Sequence, residues 1–260
     1  MSVGSTPPLH GGADDLHCPN ESESADYDAS VSEMAAERNV AGSDELKRLY
    51  SRRFEGRTDY RDRVWQLLNH DYFARWLDGA DSVLDLGSGY GEFINNVSVQ
   101  QRHAMDLNPD ASARLDSDII FHLHDCSTTW PTAAGSIDVV FTSNFLEHLR
   151  TKPDLTACLS EAYRTLRPGG LFIAMGPNIR LLNGSYWDFF DHYLPLSDRS
   201  IGEALQSGGF DVESSRAAFL PYTMSEGRQF PLWMLRAYLR LPMTWRFFGK
   251  QFLVVARKGR

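Results

Sequence analysis

Val83-Leu84-Asp85-Leu86-Gly87-Ser88-Gly89-Tyr90-Gly91 is the stretch on which the fold turns. An apolar run ends in three glycines spaced two apart. Glycine reaches φ > 0 and lets the backbone approach a ligand with no Cβ in the way, so the stretch reads as a strand feeding a ligand-cradling turn. The chain is expected to enter a helix at Glu92, Phe93 and Ile94, with its first amides facing an anionic group. The spacing separates this turn from its relatives. Dinucleotide binders carry G-x-G-x-x-G; here the pattern is G-x-G-x-G, with Asp85 two residues before the first glycine. No Lys-Ser or Lys-Thr follows at the required distance, which excludes a Walker phosphate loop.

Downstream, short apolar runs alternate with polar or helical stretches. Strands are expected at 82–86, 102–106, 119–123, 137–142, 170–176, 210–217 and 251–257. The first five are spaced for crossover helices and a parallel sheet, and the last strand is placed to pair antiparallel. Asp106 follows Gly87 by 19 residues, Asp125 follows Asp106 by 19, and Asn144 follows Asp125 by 19. Each falls just past a strand, where open α/β sheets bind ligands. Taken singly, each reads equally well as a turn-forming Asp or Asn. Their recurrence at consecutive strand ends favours a binding edge, with Asp106 at the distance of a ribose-binding carboxylate.

Upstream the texture differs. Residues 1–43 are rich in Gly, Ser, Ala, Asp, Glu and Pro and poor in aliphatics, and are expected to form a disordered acidic tail. Ten acidic residues stand against Arg38 alone in residues 1–45, so the net charge of −8 belongs to that segment and the remaining 215 residues are near +1. Such neutrality lacks the basic excess of a nucleic-acid binder. Residues 44–79 read as helices: Leu46, Leu49 and Tyr50 share one face, then Val64, Leu67, Leu68, Phe73 and Trp76 recur at helical spacing. There is no apolar run of membrane-spanning length and no secretory leader pattern. Cys18, Cys126 and Cys158 form neither a disulfide framework nor a zinc pattern, and a reducing cytoplasm is expected.

Four segments in order now resemble the class I S-adenosylmethionine-dependent methyltransferases, specifically the small-molecule subgroup that includes bacterial sugar, glycolipid and natural-product enzymes. Asp85 to Gly91 resembles the family's first motif, and Asp106-Leu107-Asn108-Pro109 its acidic ribose position. Ile137-Asp138-Val139-Val140 through Asn144 to Leu146-Glu147-His148 is similar to the family's fourth strand and helix entry. Leu166-Arg167-Pro168-Gly169-Gly170-Leu171 is similar to the turn before the fifth. The resemblance implies a Rossmann-like α/β fold: a seven-stranded, mostly parallel sheet with helices on both faces, an N-terminal helical lid and a helical insertion before the last strand. Residues 44–260 would be the methyltransferase domain, with 80–177 the cofactor core and 178–250 the substrate side. It implies S-adenosyl-L-methionine as cofactor. Asp85, Gly87, Ser88, Gly89 and Gly91 would form the amino-acid cradle, Asp106 and Leu107 the ribose site and Asp125 and Cys126 the adenine site. Asn144 would border the transferring methyl, and Arg53 or Arg61 would meet the cofactor carboxylate.

The chemistry narrows the remaining candidates. A sulfonium methyl is already electrophilic, so the enzyme chiefly aligns the acceptor. A hydroxyl acceptor must also lose a proton, which suits histidine. His192, in the aromatic segment 186–193, is either that base or a residue shaping the acceptor loop. His148 is either a base or a cap on its helix. Trp187 and Tyr193 are expected to line the acceptor pocket. His122-Leu123-His124-Asp125 lacks metal-site spacing, and no metal is expected. The G-x-G-x-G loop counts against the alternative of a nicotinamide-dependent oxidoreductase. N- or C-methylation and a non-catalytic partner subunit stay open beside transfer to a hydroxyl of a small-molecule, sugar or lipid-linked acceptor. The insertion at 220–249 mixes aromatic residues with Arg228, Arg236, Arg240 and Arg246. It is either a helix packed on the sheet or at a homodimer interface, with arginines reaching outward, or a peripheral membrane contact.

Overall fold

A computed structural model of the chain describes Met1 and residues 58–222 and 229–259. The acidic tail, the expected helix near 43–50, Arg53 and Arg228 lie outside the described residues. The first described segment is a helical run: α1 (Thr58–Leu68), a π-helical turn (Asn69–Phe73) and α2 (Ala74–Leu77). Seven strands come after it, β1 (Ser82–Leu86), β2 (Gln101–Asp106), β3 (Ile120–Leu123), β4 (Ile137–Ser143), β5 (Leu166–Pro177), β6 (Phe210–Arg216) and β7 (Gln251–Lys258). They form one sheet in the order β3-β2-β1-β4-β5-β7-β6. The pairings among β1 to β5 are parallel, and β7 lies antiparallel between β5 and β6. The central strand β1 is buried along its whole length, as expected for a parallel strand covered on both faces.

Alternation along the strands assigns residues to two cores. Val139 and Phe141 of β4, with Leu253 and Val255 of β7, face the layer built by α1, the π-turn, α6 (Leu232–Arg240) and α7 (Pro242–Phe248). That layer is aromatic: Phe93 stacks on Phe141 with centroids 3.7 Å apart, and Tyr72 lies 4.5 Å from Phe219. Val140 of β4, with Phe252 and Val254 of β7, faces α3 (Lys152–Thr165) and α5 (Asp198–Ser207) on the other side, with the short α4 (Ile179–Leu182) between them in the chain. The described part of the expected lid, residues 58–77, is therefore a packed layer, with Leu68 and Phe73 fully buried. The insertion contributes Leu239 and Trp245 to the same core. It also leaves Trp233, Met243, Phe247 and Phe248 exposed.

Two expectations are corrected. The helix expected after the glycine loop is a single 3-10 turn (Ile94–Asn96). Asn95-Asn96-Val97-Ser98-Val99 is poor in helix formers, and side chains take the carbonyls that a helix would use. Asn69 Nδ2 donates to the Phe93 and Asn96 carbonyls at 3.0 and 3.1 Å, and Arg102 to the Ile94 carbonyl at 3.2 Å. The β2–β3 connection likewise holds only a 3-10 segment (Pro109–Arg114). Of the four connections that join β1 to β5, only β4–β5 carries a full α-helix, α3, started by a Thr151–Asp154 capping box. Second, β5 begins four residues earlier than expected: Leu166 pairs with Ile137, and a register shift precedes Val139 opposite Leu171. Gly169 absorbs that irregularity at φ 79°.

At the ends of the central strands away from the glycine loop, Asp138 ties β4 to β1. Its Oδ2 accepts from the amides of Asp81 and Ser82 at 2.9 and 2.8 Å and from Ser82 Oγ at 2.9 Å, and its Oδ1 meets Arg167. No helix among the described residues is long and apolar enough to cross a membrane.

Candidate active site

The glycine loop leaves β1 at its C-terminal end and is pinned there by its own backbone. The amides of Gly87 and Ser88 donate to the Met105 carbonyl of β2 at 2.9 and 3.2 Å. Gly87, Gly89 and Gly91 all have positive φ, at 71°, 54° and 78°. A Cβ on Gly87 would stand 2.2 Å from the Phe145 ring and one on Gly91 2.5 Å from Leu115, so side chains are excluded there on space as well as conformation. Ser88 is buried, and its hydroxyl has no hydrogen-bond partner among the described residues.

Asp106 closes the loop from β2. Its Oδ2 accepts from the Gly89 amide at 2.8 Å and its Oδ1 from the Asn108 amide at 2.8 Å. These two bonds occupy part of a carboxylate's capacity of about four acceptor sites. Burial pushes its pKa up, while the amides of Asn108, Gly89 and Leu107 and the nearby His148 pull it down. Leu107 is half-buried beside it. Asp85 is fully buried at the root of the loop. Burial, then the charges of Glu92 and Asp106, hold its carboxyl well above the usual range. Arg61, at the start of α1, reaches the loop through an ion pair with Glu92 at 3.0 Å.

The other strand-end residues divide. Asn144 follows β4 with φ 50°, its amide bonded to the Met175 carbonyl of β5 at 2.9 Å and its side-chain oxygen buried without a hydrogen bond among the described residues. A non-glycine residue held in the left-handed region is costly, and such residues cluster at functional sites. Asp125, half-buried, accepts from the amide and hydroxyl of Ser127 at 2.9 and 2.7 Å, a turn-forming role. The Cys126 side chain is buried in the α3-face core beside Cys158, and the hydrogen bond with Cys158, then burial, raise its pKa well above the ordinary thiol range. His122 faces His103 of β2 at 3.1 Å, while His124 faces the Thr129 carbonyl at 2.9 Å.

The two histidines singled out by sequence meet. His148 lies in a 3-10 turn (Leu146–His148) after β4, and His192 in the loop after the 3-10 segment Asn183–Asp188 that follows β5. Their rings are 5.2 Å apart. His148 Nδ1 faces the Asp191 carbonyl at 2.8 Å and its carboxylate at 3.3 Å; His192 Nδ1 faces the Tyr186 carbonyl at 2.8 Å. A carbonyl only accepts, so each ring carries a proton on Nδ1.

Glu147, which sequence reasoning passed over as a site residue, lies between them with 1% exposure. Its carbonyl holds the amides of Tyr193 and Leu194 at 2.9 and 3.1 Å, and its carboxyl pKa is pushed up to about 7 by burial, eased by His148. Glu147, His148 and His192 each bring one ligand atom within 4.8 Å of the others, the one such group of three among the described residues. Tyr186 was missed as well. Fully buried, its hydroxyl donates to the Leu194 carbonyl and accepts from the Leu196 amide at 3.2 Å, fixing the loop that carries His192. Trp187 and Tyr193 stand exposed at the rim, at 52% and 40%.

A family model described as a methyltransferase domain matches residues 54–215. A protein of Mycolicibacterium smegmatis, whose name assigns it to the S-adenosylmethionine-dependent methyltransferases, is 29% identical over 60% of this chain and 60% of its own length. A malonyl-[acyl-carrier protein] O-methyltransferase of Dechloromonas aromatica is 31% identical over 48% of each chain. The chain thus spans about half to three-fifths of the length of these curated relatives. Among solved structures, a SAM-dependent methyltransferase from Archaeoglobus fulgidus superposes with TM-score 0.60 at 19% identity, covering 81% of this chain and 98% of that one, a likeness of fold.

Proposed function

Because the chain belongs to the methyltransferase-domain family, whose fold and S-adenosyl-L-methionine cofactor it shares, we propose that it methylates a hydroxyl of a small-molecule, sugar or lipid-linked acceptor. Bound S-adenosyl-L-methionine supplies an electrophilic sulfonium methyl. The donor set at the strand ends fits such a ligand. Ser88 Oγ, Asn108 Nδ2 and Asn144 Oδ1 are buried without hydrogen bonds among the described residues, at the ends of the adjacent strands β1, β2 and β4. Buried polar atoms left without partners call for an explanation, and a polar ligand provides one. In this reading Gly87, Ser88, Gly89 and Gly91 cradle the amino-acid end with Asp85 bracing the turn. Asp106 and Leu107 hold the ribose, Asp125 and the Cys126 backbone border the adenine, and Asn144 borders the methyl. Arg61, tied to Glu92 beside the loop, is better placed for the carboxylate than its position in sequence alone suggested.

One observation carries the acceptor side: two histidines held at Nδ1 by backbone carbonyls and a buried carboxyl meet just beyond β4 and β5. His192 or His148 accepts the hydroxyl proton at Nε2, and Trp187 and Tyr193 guide the acceptor. Cys126 and Cys158, neighbouring free thiols in the core, suit a reducing cytoplasm.

Calorimetric titration with S-adenosylhomocysteine, with NADH as control, tests this reading. Micromolar binding of the first alone is expected. Asp106→Ala should abolish most of that affinity, whereas His192→Ala should lower turnover and leave it nearly unchanged. Equal losses of affinity in both variants would sink the division of roles.

A further inference from the structure

We propose that Glu147, His148 and His192 form a binding site for a divalent first-row transition-metal ion. The geometry meets the requirements one at a time. A metal-ligating histidine presents one ring nitrogen to the ion and donates the other N–H to a carbonyl or carboxylate, which fixes its tautomer and orientation. Both histidines are arranged in this way. His148 Nδ1 is held 2.8 Å from the Asp191 carbonyl and 3.3 Å from its carboxylate, and His192 Nδ1 is held 2.8 Å from the Tyr186 carbonyl. His148 Nε2 then faces Glu147 Oε1 at 4.0 Å. Bonds of roughly 2.0–2.2 Å to nitrogen and oxygen place ligand atoms up to about 4 Å apart around one ion. The widest separation in the cluster, no more than 4.8 Å, closes with a small side-chain rotation.

Glu147 supplies the independent observation. Its Oε1 is buried with no hydrogen-bond partner among the described residues, in a residue only 1% exposed. A carboxylate in that position is costly unless a cation satisfies it. The donor set also selects the ion. Two imidazoles and one carboxylate suit Zn²⁺, Fe²⁺, Mn²⁺ or Co²⁺, whereas Mg²⁺ and Ca²⁺ take oxygen ligands. Three protein ligands leave positions open, and the catalytic role of the ion rests on the methyl-transfer reading above. An acceptor hydroxyl coordinated through its oxygen is acidified. Its O–H bond breaks with the proton passing to solvent, and the oxygen keeps the electron pair that forms the new bond to the methyl carbon as the carbon–sulfur bond breaks. With the ion bound, the two histidines act as ligands, and this acidification takes the place of the base role assigned to them above.

The full chain, stripped of metal with a chelator, is titrated with Zn²⁺ alone, Mg²⁺ alone and S-adenosylhomocysteine alone. One Zn²⁺ per chain is expected, with Mg²⁺ far weaker. Glu147→Gln and His148→Gln should each weaken Zn²⁺ binding about tenfold or more while melting curves and S-adenosylhomocysteine affinity stay close to wild type. X-ray absorption of the zinc-loaded wild-type protein needs no variant, and should show imidazole with only nitrogen and oxygen neighbours. Sulfur in that shell, the same Zn²⁺ affinity in both variants, or no binding by the wild type overturns the site. Zinc bound as expected without S-adenosylhomocysteine binding upholds the site and removes the methyl-transfer reading instead.

Discussion

A carboxyl group taken out of water holds its proton more tightly, and Asp85 is such a group. Burial, then the neighbouring charges of Glu92 and Asp106, raise its pKa well above the ordinary 3.8, against a single backbone hydrogen bond from Ile94. The folded protein therefore binds this proton more tightly than the unfolded chain does. The stability tied to it is complete below about pH 3.8 and is lost as pH rises through the folded value. Asp85→Asn removes the titration but keeps an acceptor for Ile94. Melting temperatures of both proteins between pH 4 and 8 should show the variant gaining on wild type as pH rises, and a constant difference would refute the account. The place of Asp85 at the root of the glycine loop was legible because strand, aspartate and glycines are contiguous. Glu147 was not: it sits in plain view beside His148, but its burial is made by the 183–194 segment folding back onto the end of β4. Tyr186 was hidden for the same reason, since one aromatic residue in an aromatic run carries no mark of being its buried anchor.

At the scale of elements, the strands could be read because burial on both faces leaves an apolar run in the sequence. The crossovers could not. A 14-residue gap between β1 and β2 is long enough for a short helix, and only the side chains of Asn69 and Arg102, arriving from elsewhere, decide that it becomes a single turn. Packing of that turn then rests on Phe93, which is 3% exposed and lies against both Phe141 and Trp65. Phe93→Ala should cost about 3–5 kcal/mol, read from chemical denaturation. Because the same turn leads out of the glycine loop, the variant should also lose affinity for S-adenosylhomocysteine. Stability lost with that affinity intact would separate the turn from the loop. The insertion followed neither of its two readings alone: Leu239 and Trp245 are core, while α7 still presents Met243, Phe247 and Phe248 to the surface.

Across the whole molecule, β7 joins the parts of the sheet that lie far apart in sequence. Residues 251–258 pair with 171–177 on one side and 210–216 on the other. Without them the sheet ends at β5, and β6 has no partner strand. A chain stopped at residue 250 should accumulate in the insoluble fraction, whereas one stopped at 259 should stay soluble; equal solubility would count against β7 as the keystone. A ribosome makes β5, α5, β6 and the insertion before it reaches β7. Until residues 251–258 emerge, the nascent chain carries two open strand edges, of the kind that templates pairing between chains. Translation therefore exposes this protein to aggregation for as long as it takes to make α6 and α7, a hazard that chaperones in the host cell would have to cover.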